Sequence, residues 1–101
     1  MLHTVNKSPF DKNSLETCLG YCLAGSAVLL IEDGVYGATK NTRFSDSIIS
    51  AMSSNKTIYV LGPDLQARGI AESKLIDGIK IVDYSGFVDL AAEQDKVQAW
   101  L

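Results

Sequence analysis

The segment SAVLLIE, residues 26–32, constrains the fold more than any other part of the chain. Its apolar residues run without alternation. A strand with one wet face alternates polar and apolar side chains, because successive side chains point to opposite faces. An unbroken apolar run of this length belongs to a strand buried on both faces. Such a strand needs cover above and below, and helices that connect parallel strands supply it. Asp33-Gly34 then ends the run as turn chemistry.

The rest of the chain repeats strand, then helix. LHTV (2–5), KTIYVLG (56–62) and IKIVDY (79–84) read as further strands. NSLETCLGYCLA (13–24) reads as a helix, with Asn13 or Ser14 as N-cap and Gly25 just past its end. VYGATKNTRF (35–44) reads as a loop or short helical region, and SDSIISAMSS (45–54) as a helix. Pro63-Asp64 opens a short helical turn, and GFVDLAAEQ (86–94) is a last helix. VQAWL (97–101) is an apolar tail that must dock on its own core or on a neighbour. The expectation is one α/β domain over residues 1–101, with a mainly parallel sheet flanked by helices, flavodoxin/Rossmann-like in kind. A chain of 101 residues can bury enough surface to need no staples.

Charge and hydropathy exclude several functions. The net charge is −3, with no stripe of Lys and Arg, so the chain alone is a poor binder of nucleic acid. No apolar run reaches the ~18 residues of a membrane span. MLHTVNKSPF, residues 1–10, lacks the apolar stretch of a signal peptide, so a cytoplasmic location with reduced thiols is expected. Neither G-x-G-x-x-G nor a Walker A motif occurs, so nothing in the sequence supports nucleotide binding.

The remaining chemistry centres on Cys18 and Cys22, the only cysteines. Leu15, Cys18, Leu19, Cys22 and Leu23 form the i, i+3, i+4, i+7, i+8 stripe of an amphipathic helix. Leu15, Leu19 and Leu23 occupy one side of the stripe, Cys22 falls inside it, and Cys18 lies at the opposite edge, beside Thr17 and Tyr21. Cys22 is therefore expected as a small core filler. Cys18 is expected at the rim, one turn from the helix start, where a thiolate can be activated and reached. The residues alone leave Cys18 open between filler and working thiol. C-x3-C is neither the redox C-x-x-C nor a zinc-knuckle spacing, so neither metal nor cofactor is expected. His3, the sole histidine, reads as a hydrogen-bonded strand residue. Glu32, Asp33 and Arg68 lie near strand ends, where open α/β sheets bind ligands; Asp33-Gly34 is more often plain turn and cap chemistry, and Arg68 reads otherwise as a solvated charge.

Five segments carry a resemblance: MLHTVNKSPF, EDGVYGA, VLGPDLQARG, VDYSGFVDL and the terminal VQAWL. Together, and in this order, they resemble the DsrH/TusB family over nearly the whole chain. The resemblance implies a DsrE-like α/β fold and a subunit of a cytoplasmic heterohexamer, DsrEFH or TusBCD, that relays sulfur as protein persulfide. The implied partners are sister subunits of DsrE/DsrF (TusD/TusC) type and a small carrier of DsrC/TusE type, with no direct nucleic acid and no membrane. TusBCD serves 2-thiolation of the tRNA wobble uridine; DsrEFH serves sulfur oxidation. The long match through LHTVNKSPF, NSLE with its following cysteine, and VQAWL looks more like DsrH of sulfur oxidisers, in which a cysteine falls at the place of Cys18; TusB chains commonly lack that cysteine. Sulfur oxidation is therefore the expected branch, with tRNA thiolation as the alternative.

The family's principal sulfur-carrying cysteine lies on the DsrE/TusD chain near a strand end. EDG, LGPDL and DYSG, the comparable places here, have none. Cys18 is thus implied as an accessory sulfur acceptor or a carrier-docking thiol. A purely structural subunit is the competing reading. A free-standing ligand binder at the strand ends rests on fold alone.

Overall fold

The computed structural model describes residues 1–94 and 96–101. Strands β1 (Leu2–Val5), β2 (Ala27–Leu30), β3 (Thr57–Leu61), β4 (Lys80–Val82) and β5 (Val97–Trp100) form one sheet, in the order β4-β3-β2-β1-β5. Every pairing is parallel. The helices are α1 (Ser14–Tyr21), α2 (Ser45–Ser53), α3 (Gly62–Ala67) and α4 (Tyr84–Glu93), with 3-10 stretches at Glu32–Ala38 and Glu72–Lys74. The α/β architecture expected from the sequence is the one observed.

The unbroken run of β2 has its physical reason in the layers. Val28 and Leu30 face one core, with Val5, Ile58 and Val60 from neighbouring strands and Leu15, Leu19 and Ile48 from α1 and α2. Ala27 and Leu29 face a second, smaller core with Leu2 and with Leu90 of α4. Each of these Val, Leu and Ile side chains contributes about 1.5–3 kcal/mol when fully buried. Both cores share β2, so it tolerates no polar residue on either face.

Three local outcomes differ from the sequence reading. The tail 97–101 is not merely docked: β5 hydrogen-bonds to β1, with Leu2 opposite Val97 and Val5 opposite Trp100. The chain passes from β1 stepwise out to β4, then α4 carries it back to the other side of β1. The second difference lies past β2, where Glu32 takes φ 50° and the chain coils into the 3-10 stretch. There Gly34 lies so close to β1 that a Cβ would sit 2.1 Å from the Val5 carbonyl oxygen. Only glycine permits that approach.

The third difference decides the geometry of the cysteines. Helix α1 ends at Tyr21, and Cys22 is its C-cap in extended conformation (φ −60°, ψ 138°). The expected helix ran on to residue 24. Because it stops early, Leu23 leaves the stripe and is 78% exposed. The buried stripe is then Leu15, Cys18 and Leu19, continued by Cys22, and Cys18 is no longer at its edge.

Candidate functional site

Three soft donors meet beneath α1. His3 lies on β1 with the parity of Val5, so its side chain faces the core that α1 covers. Cys18 and Cys22 stand one turn apart on that helix and its cap, the spacing that stacks side chains on one face. Their Sγ atoms are 3.7 Å apart. A ring nitrogen of His3 and the two sulfurs all lie within 4.8 Å of one another. All three residues are buried; Cys18 is 0% exposed. The rim position expected for Cys18 is therefore overturned, and Cys22 is the core residue it was expected to be.

Aromatic residues wall the cluster from outside. The indole Nε1–H of Trp100 donates to His3 Nδ1 at 3.1 Å. Tyr21 stands edge-on to both rings, 6.2 Å from His3 and 5.6 Å from Trp100 between centroids. A pocket of about 310 Å³ opens beside His3, lined also by Met1, Tyr21, Leu23 and Ser26.

The environment splits the two thiols. The two sulfurs share a hydrogen bond that either could donate; with Cys18 as the donor, and with burial added, the Cys18 thiol is pushed far above its ordinary range. Receiving that hydrogen bond, the Cys22 thiol is pulled down, against the opposing effect of its own burial; the Lys56 ammonium also favours its thiolate. Lys56 reaches the end of α1, donating to the Leu19 carbonyl at 3.2 Å. Burial and the nearby N-terminal ammonium push the His3 imidazole below its usual value, so it is neutral at pH 7. The arrangement thus presents Cys22 as the better nucleophile and Cys18 as the donor that stabilises it.

The strand-end candidates resolve differently. Arg68 Nε donates to Asp33 Oδ1 at 2.9 Å, and its guanidinium also reaches the Asp64 carbonyl. Asp64 in turn accepts the Glu32 backbone N–H at 2.6 Å. These charges satisfy one another and brace the turn after β2 against α3. They do not converge with the cysteines.

Sequence reasoning missed the meeting of His3 with the thiols, and the part of Trp100. The alternation of LHTV does carry a signal for His3: residue 3 shares its face with Val5. The pairing of β5 that brings Trp100 beside it is a long-range event with no local signature.

A family model described as DsrH like protein matches residues 7–97, which contain both cysteines. The chain belongs to the DsrH/TusB family. This DsrH/TusB chain is 36% identical over 100 residues to Protein TusB of Pectobacterium parmentieri, covering 99% of the chain and 100% of the relative. It is 32% identical to Protein TusB of Escherichia coli strain K12, again over 99% of the chain and 100% of the relative. Its fold is that of protein MTH1491 from Methanobacterium thermoautotrophicum, titled as of unknown function, at TM-score 0.80 and 13% identity, covering 97% of this chain and 96% of that one. It is also that of the ychN protein of Escherichia coli, at TM-score 0.78 and 18% identity, covering 97% of each chain.

Proposed function

We propose that this chain is a subunit of a cytoplasmic sulfur-relay complex of TusBCD type, serving 2-thiolation of the tRNA wobble uridine. The observation that carries the reading is the full-length match to TusB proteins. It moves the preferred branch from sulfur oxidation, expected from the sequence, to tRNA thiolation. The burial of both thiols and the lack of a cysteine at any strand end support a subunit that completes the assembly while a sister chain of TusD type holds the principal persulfide. The exposed apolar side chains of α4, Tyr84 at 61% and Val88 at 66%, support a face that packs against sister chains. The small carrier of TusE type would dock on the assembly.

A second reading keeps this chain in the transfer path. It is favoured by the cysteine at position 18, where the DsrH resemblance places one. A thiolate here would attack the outer sulfur of a donor persulfide. That sulfur would move to the cysteine, and the donor would leave as its own thiolate. The direction of the thiol shifts makes Cys22 the entering nucleophile, with Cys18 as its hydrogen-bond donor.

Deleting the gene and measuring 2-thiouridine at the tRNA wobble position tests the first reading. Loss of the modification, restored by the wild-type chain and equally by Cys18→Ala and by Cys22→Ala, supports a structural subunit in tRNA thiolation. Failure of Cys22→Ala or Cys18→Ala to restore it, in a variant that still folds and assembles, supports the transfer reading. Unchanged tRNA thiolation together with impaired sulfur oxidation overturns the TusBCD assignment in favour of the DsrEFH branch.

A further inference from the structure

The chain has one histidine and two cysteines, and the fold brings all three together. They come from two elements and from positions 3, 18 and 22. Packing alone does not require that every histidine and cysteine of a 101-residue chain share one site. We propose that His3, Cys18 and Cys22 form a binding site for a zinc-class d10 cation, with the fourth position facing the pocket beside His3. This inference is independent of the sulfur-relay reading.

The spacing of the two sulfurs suits the ion. Zn²⁺ binds thiolate at about 2.3 Å and imidazole nitrogen at about 2.0–2.1 Å in tetrahedral sites. Two sulfurs at about 2.3 Å on a tetrahedral ion stand about 3.8 Å apart. The observed Sγ–Sγ separation is 3.7 Å. An i, i+4 pair on one helical turn is a natural chelate, since both side chains rise from the same face. Here the extended cap at Cys22 sets the second sulfur. A donor set of two sulfurs and one nitrogen selects zinc or copper(I) over magnesium or calcium, which take oxygen. With three protein donors, a fourth position stays open to an exogenous ligand, as in zinc sites that do chemistry. The pocket of about 310 Å³, lined by Met1, His3, Tyr21, Leu23 and Ser26, gives that position room.

Binding would have a definite balance. Zn²⁺ displaces the thiol protons of Cys18 and Cys22 to solvent, with no change of oxidation state. It also takes a nitrogen lone pair of His3. In the metal-free chain Trp100 donates to Nδ1, so Nδ1 carries the lone pair and Nε2 the proton. A cation on Nδ1 displaces Trp100 directly. A cation on Nε2 drives the proton to Nδ1, which then no longer accepts from the indole. Either way the only tryptophan of the chain loses its partner and reports the event.

The test uses the full chain, reduced, stripped with a chelator, and titrated with Co²⁺ as probe. The expected result is thiolate-to-cobalt charge transfer in the near ultraviolet, intense visible bands of a four-coordinate ion, saturation at one equivalent, and a parallel change in Trp100 fluorescence. Zn²⁺ should bleach the bands. Cys18→Ala, Cys22→Ala and His3→Gln should each weaken Co²⁺ binding at least about tenfold, the lower end of what losing even a supporting residue costs a metal site. If a variant does not fold, iodoacetamide labelling of the wild-type chain decides: one equivalent of Zn²⁺ should protect both cysteines. Absence of charge transfer, cobalt spectra of a six-coordinate ion unaffected by the substitutions, or labelling unchanged by Zn²⁺ overturns the site.

Discussion

Trp100, in the last strand, donates its indole N–H to His3, in the first, at 3.1 Å. The bond spans 97 positions of sequence and ties the edge strand β5 to its neighbour β1. Trp100→Phe keeps an aromatic body and removes only the donor. It leaves His3 Nδ1 buried and unpaired, which costs about 1–3 kcal/mol. For a domain of this size, each kcal/mol lowers Tm by roughly 4–8 °C. Thermal unfolding followed by circular dichroism measures it, and an unchanged Tm would show that the bond is not formed in solution.

Gly34 is a second point at which one atom decides stability. A methyl group there would meet the Val5 carbonyl oxygen at 2.1 Å, and the clash is with backbone, which cannot swing aside. Gly34→Ala should cost at least about 2 kcal/mol, as overpacking does in a filled interior. Gly20→Ala is the control, because a Cβ there meets nothing within 4 Å. Urea midpoints of the two variants should therefore differ widely.

The same contrast shows how far the sequence could be read. SAVLLIE announced its two-sided burial because hydrophobic pattern is a local property, and the order of elements followed from it. The place of Cys18 did not follow, because it depends on where α1 stops. A stripe read to Leu23 has the leucines along one side and puts Cys18 at the opposite edge. Ended at Tyr21, it centres on Cys18 and Leu19. Helix ends are set by tertiary context, here the extended cap at Cys22, so propensity could not locate this one. The candidate site needed one further fact, the pairing of β5 beside β1, which no stretch of local sequence encodes.

The thiols should differ in reactivity. Cys18 donates to Cys22, which raises the one and lowers the other, so iodoacetamide should label Cys22 first in the native, metal-free chain. Cys18→Ala removes the donor, and the Cys22 rate at pH 7 should fall severalfold. Peptide mass spectrometry after timed quenching gives both rates. Labelling of Cys18 first would refute the assigned direction of the hydrogen bond.

His3 should make the metal-free fold sensitive to mild acid. Burial, with help from the N-terminal ammonium, holds its folded pKa below the 6.5 of the unfolded chain. The unfolded state therefore binds more protons once the pH falls through about 6.5, and linkage then lowers the stability of the native state. The loss begins near the unfolded value and ends below the folded one. Stability should decline as the pH falls through about 6.5 and level off only below the lowered folded value, and His3→Gln, which cannot titrate, should flatten that decline. Urea midpoints at each pH, with chelator present, measure both curves. A wild-type slope no steeper than that of His3→Gln would mean the imidazole is solvated.

The outer face of α4 tests the assembly. Tyr84 and Val88 are four apart on this helix and both project from the molecule, while Leu90 and Phe87 hold its inner side to the sheet. Two large apolar side chains at adjacent turns contribute little to the isolated fold, since they lie mostly in water. Packed against a sister chain they would occupy the desolvated centre of an interface, where single side chains can carry 2 kcal/mol or more, about 30-fold in affinity. Val88→Asp should leave thermal stability of the isolated chain within about 0.5 kcal/mol, the range of surface substitutions. Co-expressed with sister subunits of TusC and TusD type, the variant should elute apart from them in size-exclusion chromatography, while the wild type co-elutes. Lys74→Glu, an exposed change on the 3-10 stretch away from α4, should co-elute as the wild type does. Co-elution of Val88→Asp would remove α4 from the interface and leave the edge of β5 as the face to examine.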